Sequence, residues 1–291
     1  MTTRLAVVAV TYSPGDSLLT FLDSLAGATD WPLDIVLADN GSTDSSVEDA
    51  ARRPGVRVIR TGGNLGYGRA ANLGVKESTA EFIVVANPDV EWEPGSLDRL
   101  LSAADRWPSG GAFGPLIHTA SGATYPSARA LPSLTGGIGH ALCGSWWPAN
   151  PWTRAYRGEN ESPGERSAGW LSGSCLLLRR QAFEEIGGFD PGYFMYFEDV
   201  DLGDRLGQAG WQNVYVPSAV VCHTQGHATA LDPGRMATEL HRGAWRYLSR
   251  RYSGWRWSPV RAVLWSGLVM RALVATRAPR VAVAHSRRQR V

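Results

Sequence analysis

Glu81-Phe82-Ile83-Val84-Val85-Ala86-Asn87-Pro88-Asp89 joins an unbroken apolar run to a polar turn. The run shows no alternation, which reads as a strand buried on both faces, the habit of parallel sheets. In open α/β sheets ligands bind beyond the carboxyl ends of the strands, where Asn87-Pro88-Asp89 falls. Working outward, Leu5-Ala6-Val7-Val8-Ala9-Val10 has the same character and ends in Thr11-Tyr12-Ser13-Pro14. Residues 34–38 form a second such strand, ending in Asp39-Asn40-Gly41-Ser42, and residues 56–59 a third. Helices are predicted over 16–25 (Leu18, Leu19, Leu22 and Leu25 on one stripe), 66–76 and 96–104. Alternating strands and helices predict an α/β class with a mostly parallel, Rossmann-like sheet flanked by helices.

Beyond this half the signal weakens. Residues 121–167 are rich in Gly, Pro, Ser and Trp and read as long loops, including Trp146-Trp147. A strand is predicted over 171–178, helices over 181–186 and 199–209, and short strands over 211–216 and 219–222. The C-terminal stretch reads as two helices, 235–252 and 259–275.

The chain has 291 residues, enough for one large domain or two small ones. Apolar residues make up 44% and charged residues 19%, which excludes a disordered or fibrous chain. Three cysteines with no CxxC pair exclude a disulfide scaffold and a cysteine-only zinc site, and fit a reducing compartment. The net charge of +2 hides an asymmetry. Residues 242–291 hold 12 arginines and no acid, while the other 241 residues carry 17 basic and 27 acidic groups. Such a tail is expected to meet an anionic partner. The run after Arg4 is too short for an export signal. The apolar stretch 262–270 is far short of the roughly 20 residues that span a membrane.

Each motif has two readings. Asn87-Pro88-Asp89 is either a Pro-Asp turn or a carboxylate set to hold a cation against a diphosphate. Phe194-Met195-Tyr196-Phe197-Glu198-Asp199-Val200-Asp201 puts three carboxylates behind an aromatic run. Apolar neighbours raise a carboxyl pKa and suit a general base, whereas acids in a first helical turn also simply favour the helix dipole. Asp201 is expected to bond backbone or cap the helix. His223 ends the run Val220-Val221-Cys222 and is a metal ligand only if the fold brings it to Asp89; His227 is the weaker choice. Gly62-Gly63-Asn64-Leu65-Gly66-Tyr67-Gly68 is either a phosphate-binding loop or a site of close helix–strand packing.

In order along the chain, these elements resemble the inverting family 2 glycosyltransferases. The resemblance is carried by Thr11-Tyr12, by residues 38–44, by Asn64-Leu65-Gly66-Tyr67-Gly68-Arg69-Ala70-Ala71-Asn72, and by Asn87-Pro88-Asp89. It continues through Gly173-Ser174-Cys175, Gly187-Gly188-Phe189-Asp190, Glu198-Asp199 and His223, covering about residues 4–225. It implies a GT-A-type domain over 1–230, with a nucleotide-sugar half (1–117) and an acceptor half (118–230); the basic, aromatic composition of 231–291 reads as a helical tail that associates with a membrane or else packs on the body or another subunit. The resemblance assigns Thr11, Tyr12, Asp39, Asn40, Asn64, Gly66, Arg69 and Asn87 to the donor nucleotide. Asp89 and His223 would hold Mg2+ or Mn2+. Asn87 stands where the family's metal-binding DxD segment has its first acid. Asp199 is the implied general base, with Glu198 beside it. Trp170, Gly173 and Ser174 would shape the acceptor site.

Within the family the pattern is most similar to actinobacterial enzymes that add L-rhamnose from dTDP-rhamnose to N-acetylglucosaminyl-diphospho-polyprenol in cell-wall linker synthesis. That implies a polyprenyl-diphospho-sugar acceptor and an anionic membrane surface as partners, at the cytoplasmic face of the plasma membrane. A transferase using UDP-galactofuranose or UDP-N-acetylglucosamine is the alternative, and an inactive nucleotide-sugar-binding scaffold the one from a different class. An oligomer is compatible with either. The acidic body and the lack of a nucleic-acid motif argue against nucleic acid as the tail's partner.

Overall fold

The computed structural model describes residues 4–133, 164–224 and 233–277. The chain divides into two compact units, Met1–Leu231 and Asp232–Val291.

Four strands of the first unit run parallel in the order β3 (Val56–Arg60), β2 (Leu33–Asp39), β1 (Leu5–Thr11), β4 (Phe82–Ala86). They are linked through α1 (Ser17–Ala28), α2 (Ser46–Ala50) and α3 (Tyr67–Lys76). Alternate side chains serve two cores, as the two-residue strand period requires. Leu5, Val7 and Ala9 pack with Phe21, Leu25 and Leu100 on one face. Val8 and Val10 pack with Ala70, Ala71 and Val75 on the other. α3 lies close to the sheet because Gly74 presents no side chain: a Cβ there would overlap Val8 Cγ1.

The sheet continues through β11 (Cys175–Arg179), β6 (Gly110–Thr119), β12 (Gln212–His223) and β5 (Val90–Trp92). β11 is antiparallel to both β4 and β6, and β5 is antiparallel to β12. Two short strands, β7 (Thr124–Tyr125) and β9 (Arg166–Ala168), add antiparallel edges. The sheet is therefore mixed, not mostly parallel as expected. Burial on both faces produces the same apolar run in either direction, so direction is not written in a strand's own sequence. α4 (Ser96–Arg106), α5 (Arg180–Glu185) and α6 (Glu198–Gln208) complete the layers.

Three further expectations are corrected. The strand predicted over 171–178 is two pieces, β10 (Trp170–Leu171) and β11, parted at Ser172-Gly173-Ser174; β10 pairs with β8 (Ala128–Arg129) in a separate ribbon. The strands predicted over 211–216 and 219–222 are one, β12, whose register with β6 slips between Val216 and Val220. Pro217 and Ser218 sit at that bulge, which is why they read as a break. β6 itself was not foreseen, since Gly110, Gly111, Gly114 and Pro115 gave it a loop composition. The expected division at 117/118 falls within β6.

In the second unit α7 (Pro233–Arg251) and α8 (Ser258–Arg277) are joined by a 3-10 turn, Trp255–Trp257. Arg261 braces the turn, donating to the carbonyls of Tyr252 (2.9 Å) and Gly254 (2.8 Å). Trp255, Trp257, Val263 and Trp265 are exposed. Among the described residues no helix is long and apolar enough to cross a membrane. Trp146, Trp147 and His227 lie outside the described residues.

Candidate active site

The carboxyl ends of β1, β2 and β4 share one edge, and register sets their neighbours. Thr11 is the Cα partner of Asp39. Asp39 is buried, and its Oδ1 accepts from the Ser42 amide (3.0 Å) and the Thr11 hydroxyl (3.3 Å). Its Oδ2 accepts from Arg60 (2.6 Å), which lies one strand further out. Tyr12 opens the turn after β1. Asn40 Nδ2 donates to Asn64 Oδ1 (3.1 Å) and Asn40 Oδ1 accepts from the Leu65 amide (2.9 Å). The two amides thus brace the loop that carries Gly66. Gly66 has φ +89°, and a Cβ on it would overlap the carbonyl oxygen of Phe194. Its glycine is required by close packing, one of the two readings of this loop. Arg69 is exposed and donates to the Pro191 carbonyl (2.7 Å).

β4 ends one residue before Asn87, and β5 begins one residue after Asp89. Because β5 pairs with the end of β12, with His223 opposite Val90, a histidine 134 residues downstream arrives beside Asp89. His223 Nε2 lies 3.0 Å from Asp89 Oδ1 and 3.2 Å from Asn87 Nδ2. Asp89 and His223 are both buried, and His223 Nδ1 has no hydrogen-bond partner. Among the described residues no group of three or more His, Cys, Asp or Glu side chains gathers as a metal cage. The pair nonetheless fits a cation that keeps several substrate or water ligands. Ligands about 2.1 Å from an octahedral ion and at right angles stand about 3 Å apart. One carboxylate and one imidazole suit Mg2+ or Mn2+ with diphosphate oxygens in the remaining positions.

On the other side of the Ser172-Gly173-Ser174 break stands Asp199. Asp199 Oδ2 accepts from the Gly173 amide (3.0 Å) and Oδ1 from the Val200 amide (2.9 Å). Ser174 lies at the Asn87 end of the same break, its carbonyl accepting from the Asn87 amide (2.8 Å). Burial raises the Asp199 pKa above the usual carboxylate range, opposed by those two amides and by nearby Arg129. Glu198 is more deeply buried, with Oε2 unpartnered. Burial, and then the charge of Asp199, push it up to about 8. Glu198 therefore keeps its proton at neutral pH, while Asp199, with two amide donors, is the better-stabilised anion. The pair follows Tyr196 (φ +66°) and Phe197 (φ +67°), two successive side-chain-bearing residues in the left-handed region. Each such residue costs on the order of 1–3 kcal/mol and persists where surrounding structure enforces it. The strain turns the chain so that α6 starts with its two acids at the crevice. Asp201, expected to bond backbone or cap the helix, instead accepts from the side chains of Arg205 (2.6 Å) and Tyr193 (3.3 Å).

Sequence reasoning missed three contributors. The buried Tyr67 hydroxyl donates to the Gly173 carbonyl (2.7 Å), so the loop that holds Asp199 is itself held by α3. Burial, then Glu198, Cys175, Asp199 and Asp89, push the Tyr67 phenol well above its usual pKa, keeping it a donor. Its one signal was an aromatic with a hydroxyl inside a glycine-rich run. Arg60 and Arg129 carried no local signal. Trp170 stacks with Arg129 and donates to the Ala130 carbonyl (3.1 Å).

Residues 6–187 match Glycosyl transferase family 2, and residues 157–283 match Glycosyl transferase family group 2. The chain is 53% identical over 289 residues to the N-acetylglucosaminyl-diphospho-decaprenol L-rhamnosyltransferase of Mycobacterium tuberculosis, covering 95% of this chain and 94% of that one. It is 26% identical over 257 residues to rhamnosyltransferase WbbL of Escherichia coli, covering 84% and 92% respectively. The solved mannosyltransferase PcManGT from Pyrobaculum calidifontis, in complex with GDP-Man and Mn2+, superposes with a TM-score of 0.60 at 18% identity. That superposition covers 98% of this chain and 77% of the mannosyltransferase, and bears on the fold alone. The family match spans more than half of the chain, and the mycobacterial relative is aligned along nearly all of it; this chain is a glycosyltransferase and belongs to family 2.

Proposed function

We propose that the enzyme transfers L-rhamnose from dTDP-rhamnose to a sugar hydroxyl of N-acetylglucosaminyl-diphospho-polyprenol, with inversion at the anomeric carbon and with Mg2+ or Mn2+ on Asp89 and His223. The observation that carries this reading is the 53% identity, along 95% of the chain, to a relative named for that acceptor and that sugar. The donor base rests on the resemblance of the whole pattern to actinobacterial rhamnosyltransferases that use dTDP-rhamnose, since the motifs themselves do not separate thymine from uracil.

The residues suit the chemistry. Asp199 accepts the acceptor hydroxyl's proton as that oxygen attacks the anomeric carbon. The bond to the diphosphate breaks with its electron pair on the departing dTDP, and the new bond forms on the opposite face. Glu198, protonated, offers a hydrogen-bond donor rather than a second negative charge. A divalent cation, when bound, supplies positive charge against the diphosphate. Thr11, Tyr12 and Asp39 line the nucleotide edge.

Purified enzyme is to be assayed with dTDP-rhamnose and with UDP-galactofuranose and UDP-N-acetylglucosamine, on a short-chain polyprenyl acceptor, with Mg2+, Mn2+ or EDTA. Transfer from dTDP-rhamnose alone, abolished by EDTA, is the expected result. Preference for a UDP-sugar would discard the rhamnose assignment, and activity in EDTA would discard the metal.

A polyprenyl acceptor lies in a membrane, and the 12 arginines of residues 242–291, with exposed Trp255, Trp257 and Trp265, support contact with an anionic surface on the cytoplasmic side. Deleting residues 254–291 is expected to abolish co-flotation with phosphatidylglycerol vesicles. Equal flotation of the truncated and full chains would refute that contact.

A further inference from the structure

Among the described residues of the first unit, Arg129 is a cation near Asp199 that the donor chemistry does not use. Arg129 lies in β8, its Cα opposite Trp170 of β10. Its guanidinium carbon sits 5.4 Å from the ring centroids of both Tyr125 and Trp170. Nε donates to the Pro126 carbonyl (2.8 Å), and neither terminal nitrogen hydrogen-bonds a described residue. A guanidinium pinned between two rings, with its outer fork unused, is preorganised for a planar or tetrahedral oxyanion.

Its position says which anion. Along the segment from β10 to β11 the order is Trp170, beside Arg129; then Gly173, which holds Asp199; then Ser174, which holds Asn87 on the Asp89–His223 side. Three residues, at most about 10 Å of extended chain, separate Trp170 from Gly173. Asp199 is thus held from a residue that lies, along the chain, between the one stacked on Arg129 and the one bonded to Asn87, and Arg129 is near enough to act on its charge. Inversion requires the acceptor to approach from the side away from the leaving diphosphate, which is the side of the base, Asp199. Tyr125 and Tyr196 flank the same space: burial, then Glu198 and Tyr125, raise the pKa of the Tyr196 phenol. Aromatic faces there suit a sugar ring.

We propose that Arg129 binds the phosphoryl group through which the acceptor sugar is linked to its lipid, and so holds the reacting hydroxyl at Asp199. The proposal rests on the acceptor class named above. It has a further consequence: free Arg129 holds the proton affinity of Asp199 down, and pairing it with an anion relieves that pull once the acceptor is docked.

The test compares the wild type with Arg129→Gln and Arg129→Lys on two acceptors, N-acetylglucosaminyl-diphospho-farnesol and the uncharged farnesyl N-acetylglucosaminide. Binding of each is also measured by calorimetry with dTDP filling the donor site, so that the readout does not depend on transfer. For Arg129→Gln the affinity and kcat/KM for the diphosphate acceptor are expected to fall roughly 10–100-fold, chiefly through KM. Affinity for the uncharged acceptor and the donor KM are expected to be unaffected, turnover of the uncharged acceptor to shift only in its pH profile as the Asp199 pKa rises, and Lys to restore part of the loss. An equal fall with both acceptors would make Arg129 a positioning residue for Asp199 and overturn the proposal, as would no fall with either. A wild type that neither binds nor uses the diphosphate acceptor would remove the proposed function itself, and this inference with it.

Discussion

Asp199→Asn is expected to lower kcat by about 10³-fold and to leave donor affinity unchanged. The carboxylate is fixed by two backbone donors, from Gly173 and Val200, which stabilise its anion. Asparagine keeps its size but cannot take a proton from a hydroxyl. Glu198 does not replace it: burial, the larger cause of its raised pKa, persists when Asp199's charge is removed and still disfavours its anion. The pH profile carries the sign. Asp199's raised pKa means that kcat falls as pH drops through that pKa, because the base is then protonated. Turnover by single-turnover kinetics, beside donor calorimetry, checks the first expectation. Turnover near wild type in Asp199→Asn would reassign the base.

Asp89→Ala and His223→Ala are each expected to lower kcat/KM for the donor by about 10²–10³-fold, the scale of losing charge stabilisation at a leaving group. The double variant should lose little more than either single one, since two ligands of one ion act as a unit. The structural basis is the 3.0 Å approach of His223 Nε2 to Asp89 Oδ1 in a buried setting. Calorimetry of the donor with and without Mn2+ is the direct measurement: the wild type should bind more tightly with the ion and the variants should not respond to it. Losses that simply add, with the Mn2+ response intact, would mean the pair serves structure and not a cation.

Much of the first half of the fold was readable. Runs such as 5–10 and 82–86 are apolar without interruption because both faces of β1 and β4 are covered, and burial alone writes that pattern. The helix stripe Leu18, Leu22 and Leu25 was readable for the same reason, those residues packing into one core. β6 was not, because a strand buried against Leu171, Trp211 and Ala182 must be narrow, and its glycines at 111 and 114 mimic a loop. Nor was the break at 172–174 visible. Its residues are small and its neighbours apolar, so it reads as strand until Gly173 is seen turning its amide to Asp199.

The candidate acids and the histidine were each legible as residue types at the end of an apolar run or beside an aromatic one. What they do together was not. Asp89 meets His223 because a three-residue strand pairs antiparallel with the end of β12, and Arg129 meets Trp170 because a two-residue ribbon pairs them. The sequence by itself determined which segments are buried and which side chains carry charge or a lone pair, since burial and side-chain chemistry are local properties. Only the tertiary structure decided strand direction, the meeting of Asp89 with His223, the hold of Gly173 on Asp199 and the stacking of Arg129 on Trp170. Hydrogen bonds between strands far apart in sequence set those distances, and no residue's own neighbourhood records its partner.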